Sequence, residues 1–253
     1  MNCVILTAGK GIRLEDYTRK ANKCMLEING KPLVEYSLDR AVDIADKIFV
    51  VIGYRGEDIL NYFGTKYRGA NIHYIIQHEY KGIVNALQLV EPYLDSPFYL
   101  MLGDEIFIDS KHKEMVKKWK KEYWTKLMWI NQPDLRYLAM CGMVKDSSIE
   151  KTYGFQFLDK FKVAYLQEKP DLSGLGTLSL TWKGTGNCII SPNYFNYINK
   201  TSMSNERKET DFVSVLNVGI LDNQIVKGFP VCSKYFNINT IEDLTEVIKY
   251  FKA

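Results

Sequence analysis

Residues 2–13 read NCVILTAGKGIR. Asn2–Thr7 is a short, mostly apolar run without a charge, and it stops at Ala8-Gly9. A strand buried on both faces of a parallel sheet reads this way. The turn that follows, Gly9-Lys10-Gly11-Ile12-Arg13, combines glycines with two cations. Glycine permits positive φ and lets backbone N–H groups come close to an anion. Arg13 offers a planar fork for phosphate oxygens, and Lys10 a point charge. The run is neither a P-loop, since it lacks GK[ST], nor a complete GxGxxG, since position 14 is leucine. On its own such a turn is more often a plain glycine bend beside a surface arginine.

The pattern repeats outward from this strand. Pro32 opens a helix with apolar residues at Leu33, Tyr36, Leu38, Ala41, Val42 and Ala45. IFVVI at Ile48–Ile52 is a second buried strand. Glu57–Phe63 is a short helix, Ile72–Ile76 a strand, Ile83–Val90 a helix, Phe98–Leu102 (FYLML) a strand, and His112–Tyr123 a lysine-rich helix. Strand and helix alternate to about residue 125, which predicts a mostly parallel sheet with helices on both faces. Ligands of such sheets bind beyond the carboxyl ends of the strands. Beyond residue 125 the strand-like segments Arg136–Val144, Gly154–Leu158, Val163–Gln167 and Gly184–Ile190 have little helix between them, so an antiparallel extension is expected. Asp211–Leu221 and Ile241–Phe251 read as closing helices with a strand at Val231–Phe236. Ser173–Gly176 is a short glycine-bearing lull and Thr201–Lys208 a polar stretch. The expectation is one α/β domain over 1–253, with a nucleotide-binding half at 1–125 and an acceptor-binding half at 126–253.

Composition narrows the function classes. The 253 residues are 46% hydrophobic and 25% charged, with a net charge of +3. This is an ordinary globular composition, and the balanced charge argues against a nucleic-acid coat or a membrane tether. Five cysteines (Cys3, Cys24, Cys141, Cys188, Cys232) form no CxxC pair, which suits reduced thiols in the cytoplasm. Three histidines lack the spacing of a zinc site. No run approaches the ~18 apolar residues of a membrane span.

Two further residues attract attention. Lys23 stands in an otherwise apolar run, facing either solvent at a strand edge or the cleft of the glycine turn. Gly103-Asp104-Glu105 follows FYLML, and a carboxylate at the end of a buried parallel strand is well placed for Mg2+, which takes one or two carboxylates plus substrate phosphates. The plainer alternative is an aspartate capping a turn.

Taken in order, ILTAGKGIRL, Lys23, LGD at Asp104 and EKP at Glu168-Lys169-Pro170 resemble the nucleotidyltransferase family that includes the sugar-1-phosphate nucleotidyltransferases. The resemblance runs from Met1 to about Phe251. It implies a Rossmann-like, GT-A-like fold and an Mg2+-dependent reaction between a nucleoside triphosphate and a phosphomonoester acceptor. It further implies that Leu6, Ala8, Gly9, Gly11, Ile12 and Arg13 belong to the loop around the triphosphate, and that Lys23 contacts the reacting phosphates. Gln77 and Gly82 resemble the segment that reads a pyrimidine edge, and Gly103-Asp104 the metal-binding turn. Gly154, Glu168, Lys169 and Asn187 resemble positions of the acceptor pocket. Arg13, Lys23 and Asp104 are thus the expected catalytic residues. The resemblance also admits a homodimer.

The sequence departs from the family at two places. Asn22 stands where a proline usually precedes the lysine, and Asn237 where many relatives have a second, metal-binding aspartate. Asn237 remains the expected second ligand, weaker for being neutral, with Glu105 or Asn239 as assistants. NKCMLEINGKPLVEYSL looks more like the cytidylyltransferases of phosphocholine and related compounds of surface-polysaccharide pathways, so CTP is the expected triphosphate, with a phospho-amino-alcohol, a phosphoglutamine-like compound or a sugar phosphate as acceptor. UTP or dTTP with a sugar 1-phosphate is the alternative. A metal-dependent glycosyltransferase and an inactive nucleotide-binding regulator are the rival classes.

Overall fold

The computed structural model describes residues 1–127, 130–134, 136–146, 148, 151–170, 181–203 and 209–252. The expected lull at 173–176 and residues 204–208 of the polar stretch lie outside these. A ten-stranded sheet runs through both halves of the chain. Strand β1 (Asn2–Leu6) is its parallel centre, between β2 (Ile48–Ile52) and β4 (Phe98–Leu102), and β3 (Ala70–Ile76) pairs in parallel outside β2. Alternate residues of β1 feed opposite layers. Val4 packs with helices α3 (Gly82–Val90) and α5 (Phe212–Leu221), whereas Cys3 and Ile5 pack with α1 (Leu33–Val42), α2 (Gly56–Phe63) and α4 (His112–Tyr123). Each fully buried aliphatic side chain in these layers contributes about 1.5–3 kcal/mol, and this two-sided burial is why the strands carry so few polar residues.

The second half extends the sheet as expected, with antiparallel pairing. Strand β9 (Thr181–Ile190) lies against β4, and β6 (Tyr137–Asp146) lies antiparallel to β9. The hairpin β7 (Tyr153–Asp159) and β8 (Lys162–Glu168) joins β9 on one side and β10 (Ile225–Pro230) on the other. Because β10 also pairs with β6, in parallel, these five strands close into a ring.

The expected strand at Val231–Phe236 is replaced by two. Ile225–Pro230 belongs to the main sheet, while β11 (Lys234–Asn237) leaves it and pairs antiparallel with β5 (Glu105–Ile108). Gly228 and Pro230 look like turn residues in the sequence. In the fold a Cβ at Gly228 would come within 2.6 Å of the Met143 sulfur, so the end of that side chain would have to shift. The β5–β11 ribbon and helix α6 (Ile241–Lys252) enclose a third apolar cluster of Leu14, Ile28, Leu33, Ile106, Phe236, Ile238, Leu244 and Val247. Leu14 therefore ties the glycine turn to the C-terminal helix. Thr240 caps that helix by accepting from Asp243 N, while Asp243 accepts from the N–H groups of Asn239 and Thr240. All five cysteines are buried and unpaired. No helix of the described residues is long and apolar enough to cross a membrane.

Candidate active site

The glycine turn lies at the carboxyl end of β1. Thr7 fixes its start, donating N–H and Oγ1 to Val51 O at 2.9 and 2.8 Å. Gly11 has φ +61°, and a Cβ there would stand 3.0 Å from both Lys23 Cβ and Thr18 Cγ2. Conformation and space both require glycine. Gly9 has open space instead. Ile12 is 66% exposed and Arg13 exposed, while Leu14 next to them is fully buried, so the turn is anchored behind and open in front. Lys10 lies over the Tyr80 ring at 4.9 Å, a cation–π contact. A cavity of 430 Å³ opens here, lined among others by Leu6, Gly9, Gly11, Arg13, Lys23 and Asp104.

Lys23 faces this cleft, not solvent. It is 6% exposed, and Nζ donates to Asp104 Oδ2 at 2.6 Å and to Asn239 Oδ1 at 2.8 Å. Asn22, fully buried, sets the base of the lysine. Its Nδ2 donates to the carbonyls of Thr7 (3.1 Å) and Tyr54 (2.6 Å), its Oδ1 accepts from Cys24 N (2.8 Å), and its own N–H donates to Asp58 (2.8 Å). Asp104 is brought in by Gly103, whose N–H donates to Leu6 O and where a Cβ would meet Thr7 Cγ2 at 2.6 Å. From the other side Ile238 N donates to Asp104 O, and Asn239 Nδ2 donates to Asn237 Oδ1 at 2.7 Å. Lys23, Asp104, Asn237 and Asn239 thus form one hydrogen-bonded chain joining three segments far apart in sequence.

A divalent cation finds in this chain one carboxylate, Asp104, and the amide oxygen of Asn237. Among the described residues no group of three His, Cys, Asp or Glu stands ready to hold a metal alone. One carboxylate and one amide suit a hard cation whose remaining ligands are water and substrate phosphate, so these residues fit Mg2+.

Glu105, next to Asp104, does not reach this cluster. It is fully buried and accepts from Tyr235 Oη (2.5 Å), Gly186 N (2.8 Å) and Asn187 Nδ2 (3.4 Å). Burial and then the Asp104 charge push its carboxyl up to about 7, against the pull of the Tyr235 and Gly186 hydrogen bonds. Asn187, expected in the acceptor pocket, is consumed here: it is fully buried and on the wall of none of the three cavities of the site.

The other expected acceptor residues separate. Glu168 lines a cavity of 230 Å³ with Tyr153, Gly186, Glu209 and Phe212. Lys169, at φ +41° beyond the hairpin, instead lines a cavity of 940 Å³. Gly154 lies inside β7 opposite Gln167 and Lys183 and reaches none of the three. Gln77 and Gly82 lie together at the start of α3. The Gln77 amide donates to Asn85 Oδ1 (2.9 Å) and Gly82 O (3.3 Å), bracing its own loop. Gly82 (φ +79°) lines the 230 Å³ cavity, and a Cβ there would meet the Glu209 carboxylate at 2.5 Å. Of the aromatics, Tyr153 reaches the cavity wall, whereas Phe155 stacks on Phe157 and Trp182 meets Phe161 edge-on.

Comparison with known proteins places the chain in a family. The family model described as nucleotidyl transferase matches residues 2–249. A UTP–glucose-1-phosphate uridylyltransferase of Haloferax volcanii is 42% identical over 123 residues, which is 48% of this chain and 50% of that protein. A bifunctional protein GlmU of Methanocaldococcus jannaschii is 26% identical over 253 residues, covering 99% of this chain and 54% of its own length. The chain thus spans about half the length of these two curated relatives. A UTP-bound UGPase from Acinetobacter baumannii shares the fold at 14% identity with a TM-score of 0.80, over 99% of this chain and 92% of that one. With a family match over nearly its whole length, joined to a glycine turn, Lys23 and Asp104 in contact, the chain belongs to the nucleotidyl transferase family.

Proposed function

We propose that the protein transfers a uridylyl group from UTP to a sugar 1-phosphate, releasing pyrophosphate. The observation that carries this reading is the double hydrogen bond of Lys23 Nζ to Asp104 and Asn239 directly behind Gly11. It joins the triphosphate turn to the acidic end of β4 in a single cleft. In the reaction an acceptor phosphate oxygen attacks the α-phosphorus and the bond to the β-phosphate oxygen breaks. No covalent intermediate is needed, so catalysis consists of positioning and charge neutralisation. Gly9–Arg13 offers backbone N–H groups and a guanidinium to the β- and γ-phosphates. Lys23 neutralises charge at the α-phosphate, and Glu168 accepts from sugar hydroxyls. Asp104 and Asn237 would hold Mg2+, which would supply neutralisation of phosphate charge. A phosphate dianion needs no general base, and no histidine is required in the cleft.

The activity named for the Haloferax relative supports UTP over the CTP preference expected from the NKCMLEINGKPLVEYSL run. The test is pyrophosphate release with Mg2+, crossing UTP, dTTP and CTP with hexose 1-phosphates and with phosphocholine and phosphoglutamine. Release with UTP and a hexose 1-phosphate is expected. Release confined to CTP and a non-sugar phosphomonoester would replace this reading with the cytidylyl one.

A further inference from the structure

Between the triphosphate cavity and the small acceptor cavity lies the largest space of the site, 940 Å³. It shares Arg13 and Asn239 with the first and Lys151, Thr152, Tyr235 and Asn237 with the second. Among the described residues its wall carries six cationic side chains, Arg13, Lys145, Lys151, Lys169, Lys183 and Lys234, against four carboxylates. Among the described residues the 230 Å³ cavity has the opposite character: Glu168, Glu209 and Asp211, with the raised carboxyl of Glu105, against Lys151. A phosphomonoester entering both is oriented by this contrast, with its anionic end in the large chamber.

One of the six cations differs from the rest. Lys183 is 5% exposed, whereas the other five are exposed. It comes from β9, the strand that also places Gly186 under Glu105. Its Nζ donates to Ser148 Oγ at 2.9 Å and lies 5.4 Å from the centre of the Tyr235 ring. The Asp146 carboxylate stands 3.8 Å away, itself accepting from Ser148 N at 2.7 Å and Oγ at 2.6 Å. Withdrawing an ammonium from water is costly, and a cation already withdrawn and held in place loses less on meeting an anion than a mobile surface lysine does.

We infer that Lys183 is a phosphate-binding residue of this chamber, contacting, beside Lys169, the phosphate that the acceptor brings. The inference rests on the transfer reading above and adds a residue that the sequence motifs of the site do not contain.

Lys183→Gln removes the charge and keeps a donor for Ser148, and Lys183→Arg keeps the charge. With the triphosphate and acceptor that the pyrophosphate-release grid identifies, Lys183→Gln is expected to raise the acceptor KM at least tenfold, with the triphosphate KM within twofold of the parent. Lys183→Arg is expected to restore the acceptor KM to within threefold. An unchanged acceptor KM in the Gln variant, or an equal rise in both constants, would overturn the assignment. Calorimetric titration of the nucleotide-free full chain with inorganic phosphate gives a second, activity-independent reading. At least tenfold weaker binding by the Gln variant supports Lys183, and equal binding refutes it. If no acceptor releases pyrophosphate with the parent chain, the transfer reading fails, and the phosphate titration still decides the role of Lys183.

Discussion

Lys23 Nζ lies 2.6 Å from Asp104 Oδ2, although 81 residues separate the two. The pair is the point where the turn after β1 meets the end of β4. Neither residue is buried by apolar packing alone. Lys23 is 6% exposed as a whole residue and the Asp104 side chain 20% exposed, so the pair faces the cleft with its polar ends.

Lys23→Met removes the cation and leaves most of the stem. Loss of one preorganised charge aimed at a reacting phosphate costs about 10²–10³ in kcat. Asp104 and Asn239 lose a donor while Asp104 keeps part of its access to water, so stability falls by about 1–3 kcal/mol. Steady-state pyrophosphate release and a urea melt on the same preparation check both. Full turnover in this variant would remove Lys23 from the mechanism.

Asn22→Ala breaks a different balance. It leaves the Thr7 and Tyr54 carbonyls and Cys24 N without the buried amide that satisfies them. Each orphaned polar group costs roughly 1–3 kcal/mol, so with three of them Asn22→Ala is expected to destabilise by at least about 3 kcal/mol. Asn22→Pro is backbone-compatible, since Asn22 has φ −60° and ψ 139°. It also loses the N–H bond to Asp58, so proline is expected to be no better than alanine. Denaturant midpoints of the two variants compare them directly, and a proline variant as stable as the parent would show the amide bonds to be dispensable.

Away from the cleft, Glu122 controls part of the acid stability. Burial raises its carboxyl, but hydrogen bonds from Lys118, Tyr137 and Lys227 outweigh this and bring it down to about 2. A carboxyl depressed in the folded state adds stability above its unfolded value near 4.5, and that stability is lost as pH falls from there toward 2. Glu122→Gln should therefore cost roughly 2 kcal/mol at pH 7, a figure reduced for partial exposure. The gap to the parent should close as pH falls to 2–3. Urea melts across that range show it, and a gap independent of pH would contradict the assignment.

The layered half of the fold was legible because its information is local. A strand such as Ile48–Ile52 is apolar at every position for one reason, burial on both faces, and the glycine turn announces itself by composition. Side-chain direction is not local. Asn187 matches the motif of an acceptor residue, yet Glu105, 82 residues away, draws its amide inward. Gln77 likewise looks free to read a base until Asn85, one turn into α3, takes its donor. Lys183 carries no motif, and its burial depends on β6, β7 and β11 packing around β9. Ile225–Pro230 reads as a turn because it carries Gly228 and Pro230, and only its long-range pairing with β6 and β8 makes it a strand.

The remaining prediction concerns Asn237. Its amide oxygen is a neutral ligand for a hard cation, and a carboxylate in its place would add a full charge beside Asp104. Asn237→Asp is expected to lower the Mg2+ concentration for half-maximal activity several-fold, because the ion gains a second anionic ligand before substrate arrives. The same change breaks the hydrogen bond from Asn239 Nδ2 only in part, since a carboxylate still accepts it. Asn237→Ala should shift the Mg2+ requirement the other way and leave Asn239 less well held on Lys23. Activity titrated with Mg2+ from a chelator-treated stock separates these outcomes. An identical Mg2+ dependence in all three proteins would place the second ligand elsewhere, and chelation without loss of activity would remove the metal from the mechanism altogether.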